Sequence, residues 1–162
     1  SLRERYDEKT ARRISLDLAR GNAFNAKMRS KYPHNEVYVK YKDKKGGWKE
    51  GKVDSYDPDK GEIISRKYTQ LAGIQYQTAR NYMNEFLTKY APKTEIKDVP
   101  TQRPGSGHQN AGLAGDTLEG RMILEVPVQK NPVPNNVREY ATNNDIIIRD
   151  EKGKVYNPEV FE

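Results

Sequence analysis

The sequence predicts an α+β fold, a mixed β-sheet flanked by helices. Three observations carry this. Glu36-Val37-Tyr38-Val39-Lys40-Tyr41 alternates β-branched or aromatic residues with polar ones, the period of a strand. Two further strand-like runs, Trp48 to Tyr56 and Glu62 to Tyr68, flank Asp57-Pro58-Asp59-Lys60-Gly61, a turn in which Pro follows Asp and Gly61 supplies positive φ. Ala79, Tyr82, Met83, Phe86, Leu87 and Tyr90 recur at helical spacing as one apolar stripe, which reads as core.

In chain order, Leu2 to Lys31 reads as helix in two pieces, with Tyr6, Ile14, Leu18 and Met28 as apolar positions, a break at Gly21-Asn22 and a stop at Pro33. Lys42 to Gly47 is a basic turn between the first two strands, and the three strands make an antiparallel meander. The striped helix is expected over Leu71 to Tyr90, ending before Pro92. Ile96 to Leu118, with Pro100, Pro104 and several glycines, reads as a long loop, either functional or a plain insertion. Arg121 to Gln129 is a strand whose Pro127 puts its end at an edge or bulge. Asn135 to Asn143 is a short helix, and Ile146-Ile147-Ile148 a strand buried on both faces. Lys152-Gly153 turns into a last edge segment at Val155-Tyr156. The order is α-β-β-β-α-β-α-β, without internal repeat, in one domain spanning 1–162: a basic helical lead-in (1–31) and a mixed-sheet core (33–157).

Hydrophobic residues make up 34% and charged residues 32% of the chain, which suits a small core under a heavily solvated surface. The absence of cysteine excludes disulfides, a thiolate metal site and a cysteine nucleophile. No apolar run approaches the length of a membrane span, so no membrane anchor is expected. The chain opens at Ser1 without Met, as expected of a fragment of something larger. Net charge is +6, unevenly placed: residues 1–52 carry 15 Lys/Arg against 7 Asp/Glu. A basic half fits an anionic partner, most simply nucleic acid, or a solvated lysine-rich surface.

Neither a GxxxxGK[ST] phosphate loop nor a GxSxG elbow is present, and His34 and His108 each stand alone. The chemistry gathers on the second hairpin. If its strands pair about Asp59 and Lys60, Asp54 lies opposite Ser65, with Cβ atoms roughly 5 Å apart. Lys67 shares that face, on a diagonal of roughly 7–8 Å from Asp54. An acid, a hydroxyl and an amine thus converge. A carboxylate can hold a divalent ion that polarises a phosphodiester and acidifies a bound water, and a lysine can orient that water or neutralise developing charge. Oxygen ligands favour Mg²⁺ or Mn²⁺ and can hold Zn²⁺. Glu36 is the candidate second carboxylate; Asn25 and Asn22 are weaker, being neutral. Arg66 points to the opposite face. Gln70 is expected to cap the next helix, with DNA contact as the alternative. A surface ion pair of Asp54 with Lys52 or Lys67 is the plain structural alternative for the constellation.

Asp54, ten residues, then Ser65-Arg66-Lys67 resembles the PD-(D/E)XK nuclease superfamily, in the variant where Ser replaces the second acid. With GNAFN (21–25), NEVYV (35–39), ISRKYTQ (64–70), LEVPVQ (124–129) and IIIRD…GKVYN (146–157), the chain resembles the C-terminal nuclease toxin domains of contact-dependent growth inhibition (CdiA-type) proteins. The resemblance implies a restriction-endonuclease-like α-β-β-β-α-β core and a metal-dependent DNase (endonuclease) used as an antibacterial toxin. Glu36, Asp54 and Ser65 would surround the metal (Zn or Mg/Mn), with Lys67 acting beside it. It implies DNA and a cognate immunity protein as partners, a monomer, secretion as part of a larger bacterial surface protein, and action in the target-cell cytoplasm. A tRNA- or RNA-cleaving toxin on the same fold, or a non-catalytic nucleic-acid-binding module, are the alternatives.

Overall fold

The computed structural model describes residues 7–97, 112, 113 and 115–162. Tyr6, His108 and most of the expected 96–118 loop lie outside them. The elements are α1 (Glu8–Arg29), β1 (His34–Lys42), β2 (Trp48–Asp57), β3 (Glu62–Arg66), α2 (Tyr76–Lys89), β4 (Glu95–Ile96), β5 (Arg121–Val126), α3 (Asn135–Asn143) and β6 (Ile146–Asp150), with 3-10 turns at Leu71–Gly73 and Pro158–Phe161. The six strands form one mixed sheet in the order β4-β1-β2-β3-β5-β6, so the chain is α+β as predicted. β4, β1, β2 and β3 pair antiparallel, which includes the expected meander. β3, β5 and β6 run parallel.

α1 is a single helix, not two. Asp7 caps it, accepting the Thr10 N–H at 2.9 Å. Gly21 costs about 1 kcal/mol of helix propensity, but it lies against Tyr68, and the Phe24 and Tyr68 rings meet at 5.5 Å, so tertiary packing carries the helix through. Leu18, expected to be packed, is 59% exposed. It precedes Phe24, whose ring packs on Tyr68, by six residues, about 120° round the helix.

α2 starts later than its stripe suggested. The Leu71 N–H is held at 2.8 Å by Gln129 Oε1, while the Gln70 side chain donates to Val128 O and accepts the Lys130 N–H. Residues 70 and 71 are therefore tied to the segment after β5, and Gln70 caps nothing. From Tyr76 the stripe behaves as expected, burying Ala79, Met83, Phe86 and then Tyr90. These pack with Val137 and Ala141 of α3 against Val37, Val39, Val53, Ile63, Leu124, Ile146 and Ile148 on one face of the sheet. Ile64, Ile123 and Ile147 occupy the other face, with Tyr32 just after α1. β5 lies inside the sheet, not at an edge. It ends at Val126 because Pro127 has no N–H to continue the ladder.

The β2–β3 turn has the expected centre, with Asp57 opposite Glu62 and Gly61 at φ 67°. Asp57 Oδ1 accepts the N–H groups of Asp59 and Lys60, both at 3.1 Å. Gly120 crosses this turn with φ 124°, and a Cβ there would stand 2.2 Å from Gly61 O. Gly120→Ala should therefore destabilise the fold more than Gly46→Ala, where φ is 81° but the space is open and the cost is about 1–2 kcal/mol of left-handed strain. Urea midpoints of the two variants check the order.

Candidate functional site

Asp54 sits where two regular ladders fail together. The β2–β3 register runs from Asp57↔Glu62 to Ser55↔Ile64 and stops, so the next step places Asp54 across from Ser65. Across β1, the pairs are Asn35↔Ser55 and Val37↔Val53, and Glu36 between them has φ 50°. The faces reverse at this point. Val53 lies in the main core, whereas Ser55, two residues on, donates to Asn35 and accepts from Arg66 on the α1 side. Regular alternation would have kept positions 53 and 55 on one face. The irregularity frees Asp54 to bend into the gap, where Oδ2 accepts the Arg66 backbone N–H at 2.7 Å. Among the described residues, Oδ1 takes no hydrogen bond. Burial pushes the Asp54 carboxyl up, against the Arg66 N–H and the positive charges of Arg66, Lys67 and Arg29.

Ser65 is buried on the main-core face of β3, and its hydroxyl makes no hydrogen bond among the described residues. Lys67 lies just past the end of β3, where its N–H still donates to Glu125 O at 2.9 Å. Its ammonium reaches α2, 3.5 Å from Glu85 Oε1 and 5.0 Å from the Tyr82 ring centroid. Glu85 also pairs with Lys89 at 3.4 Å. Tyr90 adjoins the same cluster: burial, then the charges of Glu85 and Asp54, push its phenol up to about 12. Asp54, Ser65 and Lys67 thus lie near one end of the β2–β3 ladder, with Glu85 and Tyr82 of α2 behind Lys67 and Tyr90 just past the helix end.

Glu36 neighbours Asp54 in the sheet but is engaged elsewhere, with Oε1 accepting from Arg29 Nη2 at 2.8 Å. Arg29 is thus shared, bonding Glu36 while its charge acts on Asp54. Asn25 lies on the far side of the sheet, accepting from Arg66 Nη1 at 3.0 Å, and Asn22 lines a surface cleft beside Tyr68 and Thr69. Arg66 does point away from Asp54, as expected. Its side chain, 2% exposed, donates to Glu125 (2.7 Å), Ser55 (2.7 Å) and Asn25, under the Tyr32 ring. Glu125 in turn accepts from Tyr32 OH, which Arg149 also contacts at 3.0 Å while bridging Glu62.

Comparison of the chain with protein-family models, with curated proteins and with solved structures returns no match.

Among the described residues, no three His, Cys, Asp or Glu side chains converge to hold a metal ion, and no helix is long and apolar enough to cross a membrane. Sequence reasoning missed Glu85. Its available signal was that it is the single acid in the helix following the Asp…Lys hairpin, three residues after Tyr82 and four before Lys89. It also missed Arg29, which the basic lead-in hid among many cations.

Because burial raises the Asp54 pKa in the folded state, its ionisation opposes folding. The stability it contributes is full below its ordinary value of 3.8 and is lost as pH rises through the folded value. Asp54→Asn should therefore be more stable than the wild type near neutral pH, with the gap closing below pH 3.8; urea unfolding across pH measures it. Glu125→Ala, which strands a buried guanidinium, should cost about 3–5 kcal/mol. Arg66→Lys, retaining charge but not the planar fork, should cost less than Glu125→Ala, and thermal unfolding of both variants tests this ranking.

Proposed function

We propose that this chain is a metal-dependent DNase on a restriction-endonuclease-like fold, the toxin domain of a contact-dependent growth inhibition protein. The observation that carries the reading is the end of the β2–β3 ladder. There the register, continued one step, sets Asp54 across from Ser65, each with an oxygen that takes no hydrogen bond among the described residues, and the Lys67 charge acts on Asp54. A parallel β3–β5 pair following an antiparallel meander, with a helix between, is consistent with that fold.

The donors fit a hard divalent cation. Asp54 Oδ1 and Ser65 Oγ are oxygen ligands on one site, the set that Mg²⁺ or Mn²⁺ completes with water. They do not supply the nitrogen or sulfur of a tetrahedral zinc site. Glu36 would join only by leaving Arg29. When bound, such an ion polarises a phosphodiester and acidifies a water.

The chain's own residues do the rest. Lys67 is placed to take the negative charge of the phosphate, and Glu85 holds it there in the absence of substrate. Arg29 offsets the carboxylates of Glu36 and Asp54, so a polyanion is not repelled from the site. In the biological setting of this reading, the domain is delivered from a larger surface protein into a neighbouring cytoplasm, and a cognate immunity protein protects the producing cell.

Purified protein incubated with plasmid DNA over a series of Mg²⁺, Mn²⁺ and Zn²⁺ should cleave it, and chelator should stop the reaction. Asp54→Ala and Lys67→Ala should each lose on the order of 100-fold or more of the rate with the fold intact by circular dichroism. Total RNA run in parallel separates the RNA-cleaving alternative. Full activity in Asp54→Ala would remove the site from consideration.

A further inference from the structure

The far end of the β1–β2 hairpin is unlike the rest of the sheet. Among the described residues β4 pairs with β1 at Val39 and Lys40 alone, and the strands beyond Tyr41 and before Lys49 pair with each other alone. The chain's single tryptophan, Trp48, stands there 58% exposed. It pairs with Lys42, while Lys40 pairs with Glu50 and Tyr38 with Lys52, so these six residues share the face turned away from the main core. The Lys42 and Lys40 ammoniums lie 5.1 and 5.4 Å from the Trp48 ring centroid, and Lys52 lies 5.6 Å from that of Tyr38.

The charge here is lopsided. Between positions 38 and 52 there are six lysines and two acids. Asp43 is occupied with the turn, where Oδ1 accepts the Lys45 and Gly47 N–H groups at 2.9 Å each. Glu50 is engaged by Lys97, and Lys40 is shared with Glu95 at 3.4 Å. Lys42, Lys44, Lys45 and Lys52 form no ion pair among the described residues. An exposed indole between two ammoniums, of which Lys42 has no carboxylate partner among the described residues, is complementary to a flat base carrying phosphates.

We propose that this face of the hairpin is a stacking platform for single-stranded nucleic acid, with a base laid on Trp48 and the adjoining phosphates taken by Lys40 and Lys42. The ammoniums that cover the ring exchange a cation–π contact for a phosphate. Trp48 and Asp54 lie six residues apart on β2, about 20 Å along the strand, but the platform faces away from the main core whereas Lys67 lies on the α2 side, so the platform is a binding surface separate from the cleavage site. The inference rests on the nucleic-acid part of the function proposed above and adds a preference for unpaired bases.

Trp48 is its own probe. An oligo(dT) titrated into Lys67→Ala protein, in chelator so that nothing is cleaved, should quench Trp48 emission and do so less as salt rises. A blunt duplex of equal length should quench less. By fluorescence anisotropy of a labelled oligonucleotide, Trp48→Ala should weaken binding roughly 5- to 150-fold, the range of one lost base stack, and Trp48→Phe should retain most of the affinity. Binding with unchanged Trp48 emission, equal affinity of Trp48→Ala, or stronger quenching by duplex would overturn the platform and leave the nuclease reading standing. Full quenching by a wild-type protein that cleaves no nucleic acid under any metal would do the reverse.

Discussion

Arg66 and Glu125 form the ion pair on which the two halves of this sheet meet. Arg66 ends β3, the last antiparallel strand, and Glu125 lies opposite it on parallel β5. Both side chains are almost wholly buried, with Nε and Oε1 2.7 Å apart. A buried pair of this kind stabilises only when its remaining donors and acceptors are satisfied, because desolvating two ions is expensive. Here each guanidinium nitrogen has a partner: Nη2 donates to Ser55 and Nη1 to Asn25, and Tyr32 donates to the second carboxylate oxygen. Burial, then the Glu125 charge, push the Tyr32 phenol up, so it remains a donor. One guanidinium therefore ties β2, β3, β5 and α1 together.

The candidate site is the other side of the same residue. While its side chain binds Glu125, the backbone N–H of Arg66 is what Asp54 accepts. Displacing Arg66 would move both the interior network and the carboxylate. The flanking positions follow from strand alternation: Ser65 and Lys67 face α2 because Arg66 faces α1. The strained backbone at Glu36 belongs to this arrangement, since it accompanies the reversal that sends Ser55 to Arg66 and leaves Asp54 in the gap. A buried carboxylate with a raised pKa beside three cations is a local cost, of the kind found where structure serves function.

The mixed sheet and its helices were legible from residue pattern because each periodic run had one satisfactory partner. The meander valines and the isoleucine run at 146–148 are buried, and the α2 stripe buries Ala79, Met83, Phe86 and Tyr90 while Tyr82 and Leu87 stay half-buried. The hairpin register was equally legible, since Pro58 and Gly61 favour a tight turn at that point, and the observed pairs from Asp57↔Glu62 to Ser55↔Ile64 are centred as the turn residues indicate. Legibility failed where a side chain far away in sequence took over. Gln129 drew Leu71 out of the expected helix, and Tyr68 kept Gly21 inside one.

What the sequence by itself determined was the local order: which segments are strands and helices, where the hairpin turns, and that Asp54, Ser65 and Lys67 lie near its open end. The tertiary structure alone decided which neighbours those groups have. Glu36 is taken by Arg29, and Lys67 leans on Glu85, because α1 and α2 approach the sheet from opposite faces. No spacing in the chain encodes either contact, since each joins elements whose approach is set by burial of their apolar faces and not by the residues in contact. Asp54…Ser65-Arg66-Lys67 was thus readable as a pattern of functional groups, while its charge balance had to wait for the helices.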